Sequence, residues 1–133
     1  HHFSPGRDLY DHQALVSVNI ESFRAYCLAK PGADETFPFG PDTLVFKVRG
    51  KMFALTNLEN FEGVNLKVDP EYGAELRERY EFIIPAYHMN KKHWITVQIR
   101  NGVPVQLLRQ LIDQSYNLVV SGLSKSEKSS IGI

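Results

Sequence analysis

A chain of 133 residues, 43% of them hydrophobic, is long enough to bury one core and too short for two ordinary domains. Its 15 basic and 15 acidic residues cancel to a formal charge of +0 at pH 7, which excludes recognition of polyanions by bulk charge and leaves only local segregation. The lone Cys27 excludes an intramolecular disulfide framework, no Cys or His cluster has zinc-site spacing, and no apolar run approaches the ~20 residues of a membrane span, so a monomeric cytoplasmic protein without membrane association, metal or cofactor is expected.

Residues 1–18 begin with two histidines, carry Ser4-Pro5-Gly6 turn chemistry and show no sustained periodicity. They read as a flexible or artificially appended tail, in which His1, His2 and His12 have no native role. Asn19 then suits the N-cap of a helix whose apolar stripe is Ile20, Phe23, Cys27 and Leu28, stopped by Pro31-Gly32. On that stripe Cys27 is a packing residue, with no neighbour to activate a thiolate.

Thr36 to Asp42 is turn-rich, with Pro38 and Pro41 stiffening it. Leu44, Phe46 and Val48 alternate with Val45, Lys47 and Arg49 as in a half-buried strand, and Gly50 turns the chain into Lys51–Thr56 to make a hairpin. Val64, Leu66 and Val68 mark a further strand, with Asn65 and Lys67 on its other side. Asp69-Pro70-Glu71 starts a helix running to about Tyr80, because it supplies a capping carboxylate, a preset φ and an acid for the macrodipole. Tyr72, Leu76 and Tyr80 recur at helical spacing and are expected to face the core.

Phe82-Ile83-Ile84 and Trp94–Ile99 read as strands on either side of Pro85–His93, a basic and aromatic stretch, and no acidic residue occurs from Ile83 through Ile112. Asn101-Gly102 turns the chain. Pro104 opens a helix with Leu108, Leu111, Ile112, Tyr116 and Val119 on one stripe, ended by Ser121-Gly122. A capping-box pattern from Ser124 to Glu127 adds one short turn to an otherwise polar C-terminal tail, 124–133.

The resulting class is α+β: a domain over 19–123 with a mainly antiparallel sheet of about five strands, helices on one face and the other face open to solvent. Strand parity sends Leu44, Phe46, Val48, Val64, Leu66, Val68, Ile95, Val97 and Ile99 inward. Lys47, Arg49, Asn65, Lys67, Trp94, Thr96 and Gln98 then point outward, beside a loop carrying Lys91, Lys92 and His93. Basic residues recur at Arg100 and Arg109, whereas acids crowd the middle of the chain from Glu59 to Glu81. Cations, amides and one indole on a sheet face suit phosphate contact and base stacking, with Trp94 as the stacking element where it is exposed; the alternative is that the lone indole plugs an edge of the core, which removes the stacking element.

Catalytic readings find less. No glycine-flanked serine, His-Glu-x-x-His run or phosphate loop is present, and His88 and His93 have no Asp or Cys ligand nearby. Asp34 and Glu35 are adjacent and point different ways.

From Asn19 to Leu123 the chain resembles the MmcQ/YjbR family of bacterial proteins, which have a frataxin-like (CyaY-like) fold described as a double-wing DNA-binding type. The resemblance runs through Lys30-Pro31-Gly32, Glu35 to Gly40, Gly50-Lys51-Met52-Phe53, Val64 to Pro70, Pro85 to Val97, and Ser115 to Val119. It implies a CyaY-like two-layer sandwich with no catalytic residues to carry over. It also implies that the Gly50-Lys51 hairpin and the Tyr87–His93 loop are the wings, offering Lys51, Lys91, Lys92 and His93 to phosphates. The acidic ridge of frataxins is not matched, since the first helix carries only Glu21, with Asp34 and Glu35 beyond its end. A DNA- or RNA-binding module is therefore the leading expectation, with Lys47, Arg49, Lys51, Lys67, Lys91, Lys92, His93 and Trp94 as its contacts. The alternative is a module docking an acidic or peptide partner on the same face.

Overall fold

A computed structural model describes residues 19–99 and 102–133; the expected tail over 1–18, and Arg100 and Asn101, lie outside the described residues. The elements run α1 (Ile20–Leu28), β1 (Ala33–Thr36), β2 (Thr43–Val48), β3 (Lys51–Asn57), β4 (Gly63–Lys67), α2 (Pro70–Arg79), β5 (Ile83–Pro85), β6 (Trp94–Gln98), α3 (Val105–Ser121) and α4 (Lys125–Ser130). The expected helix starts are present. Asn19 makes a capping box with Ser22, the Asp69 carboxylate accepts from the Glu71 and Tyr72 backbone N–H groups ahead of Pro70, and Ser124 makes a capping box with Glu127.

The sheet is antiparallel throughout, in the order β1-β2-β3-β4-β6-β5. It is thus six-stranded rather than five-stranded. The added strand is β1, a short edge element carrying Asp34 and Glu35, which has no apolar alternation and exists because Ala33–Thr36 pairs with Val45–Val48. Helix α3 lies across β2, β3 and β4, with α1 on β1 and α2 on β5, and the main core fills the space between helices and sheet. Phe23, Phe46, Phe53 and Tyr116 are its aromatic members, two of the contacts being edge-to-face at 5.6 and 5.3 Å.

One irregularity sets the geometry of the sheet. Phe46 pairs with Ala54 but Lys47 pairs with Met52, so Phe53 is an extra residue in β3. As a result Phe53 and Ala54 both enter the helix-side core, while Met52 and Leu55 go to the opposite face. The bulge also interrupts pairing with β4, where Phe53 has no partner. Ser115 of α3 enters this gap: its buried hydroxyl donates to the Phe53 carbonyl and accepts from the Lys67 N–H at 2.8 Å.

The C-terminal residues are not a polar tail alone. Ile131, just past α4, packs against the main core, and a side chain at Gly32, where φ is +73°, would collide with it.

Candidate nucleic-acid interface on the open sheet face

The sheet face away from the helices is only partly open. Val45, Leu55, Ala86 and Trp94 form a second buried cluster there, flanked by Met52 and Met89. Its roof is the loop 86–93. Pro85 ends β5, Ala86 drops into the cluster, and Asn90 folds the remainder. The Asn90 carbonyl accepts from the His93 and Trp94 N–H groups at 3.1 and 3.0 Å, and its side chain accepts from the Lys92 N–H at 2.9 Å. The loop is thereby braced against the sheet, its far end held by the Val68 N–H donating to the His93 carbonyl at 2.8 Å.

This packing decides between the two readings of Trp94 in favour of the buried one and removes it from the candidate contacts. Parity does put the indole on the face away from the helices, but it is only 8% exposed beneath the loop and cannot stack on a base. Arg49 is also displaced from its expected place in the outward row. With φ of 51° it is a turn residue, paired with Gly50 at φ 79° in the left-handed conformations of a two-residue hairpin. Its guanidinium lies 4.0 Å from Glu127 of α4. The Glu127 carboxyl is held below its ordinary range, chiefly by the Ser124 backbone N–H, with Arg49 and Lys51 adding positive charge nearby.

The remaining cations keep their expected faces. Lys47 is half-buried on β2 between Asp34 and Met52 of the neighbouring strands, and Lys67 is half-buried on β4 opposite Trp94. Lys91, Lys92 and His93 are exposed in the loop, with the Lys91 ammonium 5.2 Å from the centroid of the Tyr87 ring. Charge is graded along the strands. Lys51, Lys67 and the Lys91–His93 segment lie at the end where β3 and β6 begin and β4 finishes, whereas Asp42, Glu59 and Glu62 flank the other end.

Between the loop 86–93 and the turn after β1 the open face forms a groove of about 680 Å³. Leu55, Asn65 and Thr96 are in its floor, with Gly63 kept low because a Cβ there would stand 3.0 Å from Thr96 Cγ2. Phe39 and Tyr87, 63% and 62% exposed, are both in its lining. Asn57 and Asn90 bring two further amides, and no Asp or Glu lines it. Sequence reading placed Asn65 and Thr96 here but missed Phe39, Asn57 and Tyr87 as contacts. The available signal was Phe37-Pro38-Phe39-Gly40, two aromatic rings set in a turn-rich stretch outside the apolar strand and helix stripes.

Among the described residues no group of three or more His, Cys, Asp or Glu side chains converges on a point where a metal would sit, and no helix is long and apolar enough to cross a membrane. Cys27 is fully buried, and burial pushes its thiol far above the usual range.

A family model described as YjbR matches residues 28–118. The chain is 42% identical over 109 residues to the uncharacterized protein YbdF of Escherichia coli O157:H7, covering 81% of the chain and 89% of that protein. It is 32% identical over 112 residues to the uncharacterized protein YjbR of Escherichia coli K12, covering 84% and 95%. Among solved structures, that of the Deinococcus radiodurans protein DR2400, described as a DUF419 domain, superposes with a TM-score of 0.80 at 43% identity, covering 86% of this chain and 88% of that one. A Pseudomonas syringae protein superposes with a TM-score of 0.64 at 32% identity, covering 76% and 98%.

Proposed function

The chain belongs to the YjbR family, and from that footing we propose that it is a non-enzymatic module that binds single-stranded nucleic acid in the open-face groove. The observation that carries this reading is a groove lined by two exposed aromatic rings and three amides, free of carboxylates, with Lys91 set on one of the rings. Unpaired bases offer π-faces to Phe39 and Tyr87, and their phosphates are drawn toward Lys67, Lys91, Lys92 and His93 at the cationic end. Tyr87 replaces Trp94 as the stacking group. Arg49, turned toward Glu127, and Lys51 serve at most as peripheral contacts.

Fluorescence anisotropy with labelled single strands and duplexes, DNA and RNA, at two salt concentrations tests the reading. Modest single-strand binding that weakens with salt is expected, and Tyr87→Ala lowers affinity about tenfold. Replacing Lys91 and Lys92 together by alanine weakens binding and flattens the salt dependence. Absence of binding at low salt, preference for duplex, or indifference to the double lysine variant would sink the proposal. Exposed Phe37, Phe39 and Leu58 support a second reading, a docking face for a peptide or acidic protein. One protein captured stoichiometrically from nuclease-treated lysate, and released by Phe39→Ala, favours it.

A further inference from the structure

Connections in an antiparallel sheet alternate between its two ends, and in this chain the two ends carry opposite charges. Strand β3 has Lys51 at its start and Glu59 just past its end, whereas β4 has Glu62 just before it and Lys67 at its end. Strand β5 has Glu81 before it and Lys91 and Lys92 in the loop after it. With Asp42 ahead of β2, four carboxylates gather at one end, where the described residues of the connections 37–42, 58–62, 80–82 and 102–104 include no Lys or Arg. At the basic end Asp69 is taken up in capping α2, and Asp34 lies in register with Lys47. The open face has matching relief. Loop 86–93 stands as a ridge on the basic half, over Trp94 and beside Met52, and the groove occupies the acidic half, lined by Thr43, Asn57 and Gly63 at the strand ends there.

Two copies of such a face can stack with a two-fold axis running along the strands or across them. An axis along the strands sets acid on acid and base on base. An axis across the strands keeps each strand over its own copy but reversed, so Lys51 and Lys67 of one copy come over the end that holds Glu59 and Glu62 of the other, twice by symmetry. The same operation brings the ridge of each copy over the groove of the other. Phe39 and Tyr87, exposed in the single chain, are then covered. We propose that the open face is the interface of a homodimer whose two-fold runs across the strands, with loop 86–93 of each copy seated in the groove of the other and Lys91 and Lys92 meeting Glu59 and Glu62. A net charge of +0 puts no overall repulsion in the way of this self-pairing. The inference goes beyond the nucleic-acid reading and does not rest on it; partner and strand compete for one groove.

Sedimentation velocity of the full chain at low salt, across a dilution series and without nucleic acid, tests the proposal. A monomer–dimer equilibrium that weakens with salt is expected. Reversing the exposed charges at one end, in Lys91→Glu with Lys92→Glu or in Glu59→Lys with Glu62→Lys, should weaken dimerisation at least about tenfold in each variant alone. Mixing the two variants in equal amounts should restore a dimer holding one copy of each, because the altered ends are again of opposite sign. Rescue of this kind is beyond the reach of a misfolded variant, and unchanged Trp94 emission reports an intact loop in each. A wild type that stays monomeric at every concentration overturns the proposal and leaves the groove to nucleic acid or to a foreign peptide. A dimer that neither charge reversal weakens overturns it too, as do two weakened variants that keep native Trp94 emission and fail to pair with each other. A single strand that binds without dissociating the dimer overturns the shared groove.

Discussion

Replacing Ser115 by alanine isolates one of the few places where a single atom holds two elements together. The side chain is completely buried, and its hydroxyl serves the Phe53 carbonyl and the Lys67 N–H at the point where the β3 bulge opens the ladder. Alanine removes that oxygen from a fully buried position, so a donor and an acceptor are stranded together. Each buried unsatisfied group costs about 1–3 kcal/mol, and partial relaxation of the bulge brings the sum to about 3 kcal/mol. That is a large share of the ~5–15 kcal/mol that holds an ordinary domain. In urea, with an m-value of about 2 kcal/mol/M, the unfolding midpoint falls by about 1.5 M with m unchanged. Ser121→Ala is the control: its hydroxyl is exposed and donates to Leu118 O at 2.7 Å, and its loss shifts stability by less than about 0.5 kcal/mol. Equal midpoints for the two variants would refute the view that α3 completes the broken ladder.

Trp94, the only tryptophan, is expected to emit like a buried indole and to resist acrylamide quenching, and Trp94→Ala costs about 3 kcal/mol; quenching as efficient as that of free indole would show that loop 86–93 does not roof the sheet. Cys27 should ignore a water-soluble disulfide reagent in the native protein and react fully in denaturant, because it is buried and its thiolate is strongly disfavoured; rapid native labelling contradicts this. Glu35 is held below its ordinary value of 4.5, chiefly by the hydrogen bond from Arg24. The folded state therefore gains stability from this group above pH 4.5 and loses it as pH falls through the depressed native value. The difference in unfolding free energy between wild type and Glu35→Gln should be constant at neutral pH and vanish in acid. A difference that persists at low pH would place its origin outside this ion pair.

Much of the fold is legible in local sequence because its signals are local. Asn19, Asp69-Pro70 and Ser124 satisfy helix N–H groups within their own turn, and Gly50 supplies a conformation that the hairpin demands wherever it sits. Period-two alternation likewise identified β2, β4 and β6 and the helix-facing side of each. Strand β1 has no such signature. Its backbone becomes a strand only because β2 presents an edge to pair with, a contact the polar residues Asp34 and Glu35 do not announce.

The candidate site divides along the same line. Sequence by itself determined that Lys67, Trp94, Asn65 and Thr96 lie on the sheet face away from the helices, since successive side chains must alternate. Whether that face is covered depends on a loop returning from β5, and the tertiary structure decided it by burying Trp94 and leaving Tyr87 outside. The bulge at Phe53, the turn of Arg49 toward Glu127 and the amide orientations of Asn57 and Asn90, set by backbone N–H donors, were decided there as well. Parity is a property of the strand alone, whereas exposure and hydrogen-bond orientation belong to whatever the rest of the chain sets beside it.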